Sequence, residues 1–360
     1  RAGGATTEIH SFRRSNAFAA IGAECRAVRE RAGLLDLSPF AKFEVFGPGA
    51  EAFVDRLGAN RAPRKLGGIG LTHVLTPGGG VLSEFSVTRL TPDRFYLVSA
   101  AAAEHHDLDL LRARSPRDGS VTISNVTHDW GTLVLAGPRA RDILSLITPT
   151  DLGNAAFPWL TAQEIDIAGA RLRALRVNFV GELGWELHHP IGAQIALYDA
   201  LMSAGRDTGL QPFGLRAMDS LRLEKMYRGW RNDLSPEFTL LESGMDRFVR
   251  LDKAEDFVGH AALAAERAQG SRQKLVCLVI ETNDRDAITV EPVYRNGQRV
   301  GVTSSGGYGH ATGLPLAIAY LATEHAVDGR DVEVELLGQR CPARVTLTPV
   351  YDPENVRLMA

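Results

Sequence analysis

In the stretch NFVGELGWELHHP, residues 178–190, two carboxylates stand four positions apart, Glu182 and Glu186. Their setting is apolar and aromatic, with Gly181 and Gly184 beside them. Acidic side chains are rarely buried without a partner, and the surroundings of a mere surface hairpin are usually more polar than this. Three readings of the pair are open. The acids sit solvated in a turn, or they form structural ion pairs with Arg216 or Arg222, or they recognise a ligand edge presenting two parallel N–H donors. A carboxylate accepts such an edge with both oxygens. Spacing by four puts both acids on one face of a strand, but a turn at Gly184 lets them diverge.

The histidines invite a metal reading. His188 and His189 are adjacent on an expected strand, so they project to opposite faces and cannot share one ion. His105, His106, Asp107 and Asp109 lie at the start of an expected helix, where His105 and Asp109 share a face. With no separate ligand cluster elsewhere, no metal is expected. Two readings stand for the acids at this helix start: a first turn favoured by the helix dipole, or a proton-transfer group beside a cleft. No nucleophile elbow, P-loop or HExxH motif occurs. Gly78–Gly80 is followed by a strand pattern, not a helix, and reads as a hairpin turn and not a phosphate cradle. The run GGYGHATG near Gly306 does not fit a dinucleotide fingerprint and is expected to be a loop between strands.

These groups need elements to hold them. A chain of 360 residues is long enough for two or three core-bearing units. Its net charge of −3 offers no global attraction to nucleic acid or to an acidic membrane. Three scattered cysteines, Cys25, Cys277 and Cys341, with no CxxC pair, argue against a disulfide framework and for a reducing compartment, the cytoplasm. No apolar run approaches the roughly 18 residues a membrane helix needs. The opening residues lack the apolar core of a secretory signal. They begin with Arg, which fits a processed chain or one piece of something longer.

After about 15 irregular residues, NAFAAIGAECRAVRERAG has helical spacing and a stop at Gly33. AKFEVFGPGAEAFVDRLG then reads as strand, turn and helix. The same pattern returns 90 residues later in GTLVLAGPRARDILSLI, where Gly137-Pro138 matches Gly47-Pro48, Leu133 matches Phe43, Leu135 matches Val45 and Ile147 matches Leu57. A repeat of this length suits two related αβ subdomains packed on each other better than a solenoid. Between the repeats lie three strands (GLTHVLTPGGGVLSEFSVTRL and DRFYLVSA) and a helix (AAEHHDLDLLRAR). After the second come strands to His189 and helices in QIALYDALMSAG and GLRAMDSLRLEK. From about residue 272 short β runs take over, predicting a small all-β domain with Asn296-Gly297 at one hairpin tip. The expected division is residues 1–271 and 272–360, with an α+β fold class.

Five stretches in order, AGLLDLSPFAKFEVFGPGAEAFVDRL, GGGVLSEFSVTRL, FVGELGWELHHP, FGLRAMDSLRLEKMYRGWRNDLSPEFTLLESGM and RVGVTSSGGYGHATG, resemble the aminomethyltransferase family, the glycine-cleavage T-protein and its relatives. The similarity is greatest to the folate-binding C-terminal half of dimethylglycine and sarcosine dehydrogenases, and runs from about Ser11 to the end. It implies a three-lobed tetrahydrofolate-binding fold with a central channel, two related αβ subdomains and a C-terminal β-barrel. It places the pterin-binding carboxylate of the GE-x-G-x-E hairpin at Glu186, whose chemistry suits the 2-amino and N3–H edge of a pterin. It places the catalytic acid at Asp107, helping electrostatically and as an acid or base near the folate N5 and N10 nitrogens. It also puts Phe179 and Arg216 at the cofactor, and Glu84, Tyr227 and Trp230 at the substrate pocket. A hairpin role for Glu84, and core packing for the two aromatic residues, remain open beside this.

Departures refine the resemblance. Phe179 stands where the T-protein has a Tyr before its TGE, and Met218 stands where it has an Arg, while Arg216 fits the dehydrogenase-like GLRA. Both favour a demethylating relative acting on a small methylated amine such as dimethylglycine or sarcosine. No GxGxxG opening is present, so no flavin is expected within this chain. The resemblance then implies one of two arrangements. In one, a flavoprotein dehydrogenase, as partner or fused domain, oxidises the amine and this chain captures the one-carbon unit on folate. In the other, a free-standing enzyme takes a methyl group directly from an amine, sulfonium, betaine or methoxy donor, with the channel holding N5 close and in line. A non-catalytic folate-binding factor for iron–sulfur assembly is the rival of another class. Its KGCY cysteine corresponds to the region of Met226 here, which argues against it. A purely structural domain that has lost activity is the third alternative.

Overall fold

The computed structural model describes residues 7–9 and 11–360. The reading of residues 1–6 and His10 as irregular lies outside the described residues; the described remainder of the first 15 has no helix or strand. In chain order the first lobe and its surroundings comprise α1 (Phe18–Glu30), β1 (Gly33–Asp36), β2 (Ala41–Phe46), α2 (Ala50–Leu57), β3 (Ile69–Leu75), β4 (Val81–Thr91), β5 (Arg94–Ser99), α3 (Glu104–Arg114) and β6 (Thr122–Asn125). The second comprises β7 (Trp130–Ala136), α4 (Ala140–Ser145), β8 (Ala162–Ile167), β9 (Ala170–Leu175), β10 (Gly184–Pro190), α5 (Gln194–Ala204) and β11 (Gln211–Pro212). Next come α6 (Leu215–Glu224) and α7 (His260–Gln269), then β12 (Gln273–Ile280), β13 (Pro292–Arg295), β14 (Gln298–Gly309), β15 (Leu314–Ala322), β16 (Asp331–Leu336) and β17 (Gln339–Thr346).

The repeat extends well beyond its strand–turn–helix seed. The first sheet has the order β3-β4-β5-β2-β6, and the second β8-β9-β10-β7-β1, with β11 added at its edge. Element for element the two halves agree, down to α3 and α5, which start 90 residues apart. The last strand of each set is exchanged. β1 leads into β2 along the chain but pairs with β7 in the other sheet, while β6 leads into β7 but pairs with β2. The two lobes therefore share strands and cannot separate without breaking both sheets.

Gly47 and Gly137 open α2 and α4 with φ of 119° and 132°. A Cβ on Gly47 would sit 2.5 Å from the Ser120 carbonyl oxygen, and on Gly137 2.7 Å from Ala32 Cα. Only glycine allows both the backbone angle and the approach of the neighbouring chain.

Strand alternation sets what each face does. Phe43, Val45, Phe95 and Leu97 pack under α2 and α3, and Leu133, Leu135, Trp185 and Leu187 pack under α4 and α5. Most of the polar residues between them are withdrawn from solvent. Lys42, Thr132 and His188 are buried because the opposite faces of the two sheets meet each other. Arg173 of β9 donates to Glu44 of β2 across this junction at 2.8 Å.

The six C-terminal strands close into a barrel, β12-β15-β14-β13-β16-β17. Asn296 and Gly297 form its expected two-residue turn with φ of 51° and 79°, the left-handed pair such a turn requires. Two local expectations differ. The α1 helix ends at Glu30, and Gly33 opens β1, where a Cβ would collide with Val28 and Phe213 at 2.5 and 2.6 Å. Gly306–Gly309 is strand, not loop: it belongs to β14 and pairs with Leu314–Ala317. Gly306 there gives room to the Ala287 carbonyl, 2.4 Å from where a Cβ would stand.

Candidate functional site

At the lobe junction β10 puts Trp185 and Leu187 into the second-lobe core and turns Glu186 and His188 to the opposite face. Glu186 is half-buried, with Oε2 3.2 Å from His188 Nε2, and its Oε1 makes no hydrogen bond among the described residues. Lys42 of β2 is buried nearby, its Nζ donating to the carbonyls of Ser38 and Phe40 at 2.8 Å each. Burial pulls this ammonium down to about 8, against the opposing charges of Glu186, Asp36 and Glu104. Glu104 is the first residue of α3 and accepts from Asn125 Nδ2 at 2.7 Å, so Lys42 feels both β10 and the start of α3.

Asp107 lies in the first turn of α3 and is wholly buried. Its Oδ1 is 2.9 Å from Nδ1 of the half-exposed His106, and its Oδ2 has no partner among the described residues. The His106 ring lies 6.3 Å from the Trp230 ring, and Trp230 Nε1 donates to the Leu82 carbonyl on β4 at 3.1 Å. Two residues along β4, Glu84 meets His73 Nε2 at 2.8 Å, and the His73 ring lies 5.9 Å from Phe248. Asp107, Trp230 and Glu84 are thus joined through His106 and β4. Phe179 and Tyr227 form a second group, stacked with centroids 5.7 Å apart and planes at 29°. Burial pushes the Tyr227 phenol up to about 12.

One of the acids and one arginine are placed differently from expectation. Glu182 is not a solvated turn residue. It is 1% exposed and accepts from Arg29 Nη1 at 3.0 Å, Tyr351 Oη at 2.7 Å and Arg357 Nε at 2.9 Å, not from Arg216 or Arg222. The two glutamates diverge because Glu182 precedes β10 while Glu186 lies within it. Arg216 is not brought to Glu186 or Asp107. It stands exposed at the start of α6, paired with Glu8, and lines a cleft of about 340 Å³ that contains none of the other six predicted residues. That cleft is lined by Glu8, Arg14 and Phe18, by Asp219 of α6 and by Tyr308 of the barrel.

The sequence reading passed over Tyr96, Thr132 and Lys42 and used His188 only in a metal argument. One signal pointed to the first of them. Shifting Glu186 by the 90-residue repeat lands on Tyr96, a polar-tipped residue at the matching position of β5. His188 and His189 do face opposite ways: His189 Nε2 meets Gln194 at 2.5 Å, while His188 points at Tyr96, Thr132 and Glu186. Among the described residues no group of three or more His, Cys, Asp or Glu is arranged to hold a metal ion. All three cysteines are free and buried. No helix among the described residues is long and apolar enough to cross a membrane.

Residues 1–253 match the family model described as the GCVT N-terminal domain, and residues 273–352 match the glycine cleavage T-protein C-terminal barrel domain. The chain is 39% identical over 348 residues to mitochondrial dimethylglycine dehydrogenase of Homo sapiens, covering 96% of this chain and 40% of that protein. It therefore spans about two fifths of that relative. It is 33% identical to an aminomethyltransferase of Saccharopolyspora erythraea, covering 97% of this chain and 95% of that one. The crystal structure of glycine cleavage system aminomethyltransferase T from Bartonella henselae superposes with a TM-score of 0.83 at 27% identity, over 92% of this chain and 90% of that one.

Proposed function

The chain belongs to the aminomethyltransferase family, folate-dependent enzymes of one-carbon transfer, and from that premise we propose that it moves a one-carbon unit from a small methylated amine, such as dimethylglycine or sarcosine, to tetrahydrofolate. The extended identity to dimethylglycine dehydrogenase supports this donor class, and a flavoprotein dehydrogenase, as partner or fused domain, would supply the oxidised amine.

The residues fit a bound folate on two observations. Among the described residues Asp107 Oδ2 is a buried carboxylate oxygen with no partner, and such atoms are costly unless a ligand satisfies them. Glu186 offers an oxygen with no hydrogen bond at a half-buried position. Glu186 carries the reading: a carboxylate held inside a lobe junction, beside a buried Lys42, is the acceptor a two-donor pterin edge needs. When bound, tetrahydrofolate supplies the nitrogen that accepts the one-carbon unit. Glu186 grips and orients. Asp107 Oδ2 is the atom at which a proton is taken or returned, and its burial keeps bulk water from competing. The stacked Phe179 and Tyr227 form an aromatic wall, and Glu84 and Trp230 complete the Asp107 side. Arg216 stands apart from this group and is assigned no part in folate binding.

The test is a titration of the purified chain with tetrahydrofolate. Glu186→Gln, which turns an N–H toward the ligand's donors, is expected to weaken binding by about tenfold or more, about 1.4 kcal/mol. Asp107→Asn is expected to bind within about threefold of the parent yet to lose about 100-fold or more in turnover, the scale of a lost acid–base group. Failure of the unmutated chain to bind tetrahydrofolate would sink the reading. A screen of dimethylglycine and sarcosine against glycine betaine and sulfonium donors, with and without a flavoprotein dehydrogenase, decides the donor class.

A further inference from the structure

His188 lies two residues beyond Glu186 on the same face of β10 and is wholly buried. Its Nε2 is 3.2 Å from Glu186 Oε2. Its Nδ1 is 3.0 Å from the Tyr96 hydroxyl, on the other lobe, and 3.0 Å from Thr132 Oγ1 on β7. Tyr96 also packs edge-on against the imidazole, with ring centroids 5.3 Å apart at 89°. Among the described residues, neither hydroxyl makes another hydrogen bond.

The groups around the ring assign its proton to one nitrogen. Burial pushes the imidazole pKa down, against the hydrogen bond and charge of Glu186, while Lys42 and Arg173 add to the lowering. A neutral imidazole has one N–H. Placed on Nδ1, that proton would leave the Nε2 lone pair facing a carboxylate lone pair. Placed on Nε2, it donates to Glu186, and the Nδ1 lone pair is shared by the two hydroxyls. One donor chain then runs from Tyr96 and Thr132 through His188 to Glu186.

We propose that His188 is a positioning residue that locks the Glu186 carboxylate for a ligand edge with two N–H donors, with Tyr96 and Thr132 fixing its tautomer. This rests on the reading of Glu186 as the pterin acceptor. An unanchored glutamate has rotatable side-chain bonds to freeze when a ligand arrives, and a buried donor on one oxygen removes that cost beforehand. The anchoring spans both lobes, so the grip on the ligand depends on the junction that the exchanged strands create.

The test compares calorimetric affinities of the purified chain for tetrahydrofolate and for its 2-desamino-2-methyl analogue, which lacks one of the two edge donors. The unmutated chain is expected to prefer tetrahydrofolate by about tenfold or more, the worth of a charge-assisted hydrogen bond. Glu186→Gln is expected to lose that preference. His188→Leu is expected to lose it as well. His188→Gln places an amide N–H toward Glu186 and an amide oxygen toward the hydroxyls, and is expected to stay within about threefold of the parent. The double variant Tyr96→Phe/Thr132→Val, which leaves β10 intact, is expected to fall between. A full preference in His188→Leu, or a His188→Gln variant no better than His188→Leu, overturns the positioning role while leaving the Glu186 reading intact. No tetrahydrofolate binding by the unmutated chain, or an unchanged preference in Glu186→Gln, overturns the Glu186 reading and the proposal together.

Discussion

Replacing Glu182 with alanine tests the network that holds the segment between Phe179 and β10. The carboxylate joins three parts of the molecule: Arg29 from α1, Tyr351 and Arg357 from the C-terminal segment, and the turn before β10. Arg29 is 5% exposed and also reaches Glu224 at 3.0 Å and the carbonyls of Val180 and Leu221 at 2.7 and 3.1 Å, so it keeps one of its two carboxylate partners when Glu182 is lost. Arg357 is 40% exposed and can rehydrate. The loss therefore comes from a buried guanidinium left half-compensated and from the vacated side-chain volume. Breaking a buried pair from one side costs about 3–5 kcal/mol, and the retained Glu224 contact puts Glu182→Ala at the lower end, about 3 kcal/mol. Arg357→Ala removes a half-exposed partner and leaves Glu182 with Arg29 and Tyr351, so about 1 kcal/mol or less is expected. The assay is urea unfolding of both variants and the parent, read at constant slope, together with tetrahydrofolate titration. Because Glu182 anchors the turn between Phe179 and Glu186, its loss should weaken ligand binding in the folded protein, whereas Arg357→Ala should not. A Glu182→Ala variant as stable as the parent, or less affected than Arg357→Ala, would refute the reasoning.

Two further outcomes are expected. Burial lowers Lys42 and Lys253 from 10.5 to about 8, so above that pH the folded chain has released protons the unfolded chain still holds, and stability rises with pH. Buried Cys25 and Cys277 are raised from 9.0 to about 12, so from about pH 9 the unfolded thiols ionise first and offset the gain. Urea midpoints should rise from pH 8 and level off near 9, and Lys42→Met/Lys253→Met should lack the rise. Asp233 accepts from Ser304 and Ser305 in the barrel and from Arg222 on α6, all buried, so Asp233→Ala should cost about 3–5 kcal/mol by urea unfolding. Asp219→Ala, which removes the exposed partner of the same arginine, should cost under about 1 kcal/mol.

The elements were legible because local patterns specify them. The strand–turn–helix repeat at Gly47 and Gly137, the helix that holds Asp107, the hairpin turn at Asn296-Gly297 and the β-rich C-terminal region all follow from apolar period and turn chemistry over a few residues. Gly306–Gly309 misled because a glycine run signals a loop unless a neighbouring chain fills the space of the missing side chains, as the Ala287 carbonyl does. Arg216 stands apart from the other predicted residues, because a motif gives a residue's position on a helix but not the surface that end of the helix meets.

The sequence by itself determined which residues share a strand face: Lys42 and Glu44 on β2, Glu186 and His188 on β10, each opposite its apolar neighbours. It could not say what that polar face meets. On an isolated sheet it would meet water, and Glu186 would be a solvated acid. The tertiary structure decided otherwise by exchanging β1 and β6, which presses the polar faces of two sheets together. Partners 92 residues apart (Tyr96 with His188) and 129 apart (Glu44 with Arg173) then meet at bonding distance. The physical reason is that alternation is a local property of the chain, set by the strand's own pleat, whereas burial of a polar face depends on which distant surface comes to cover it.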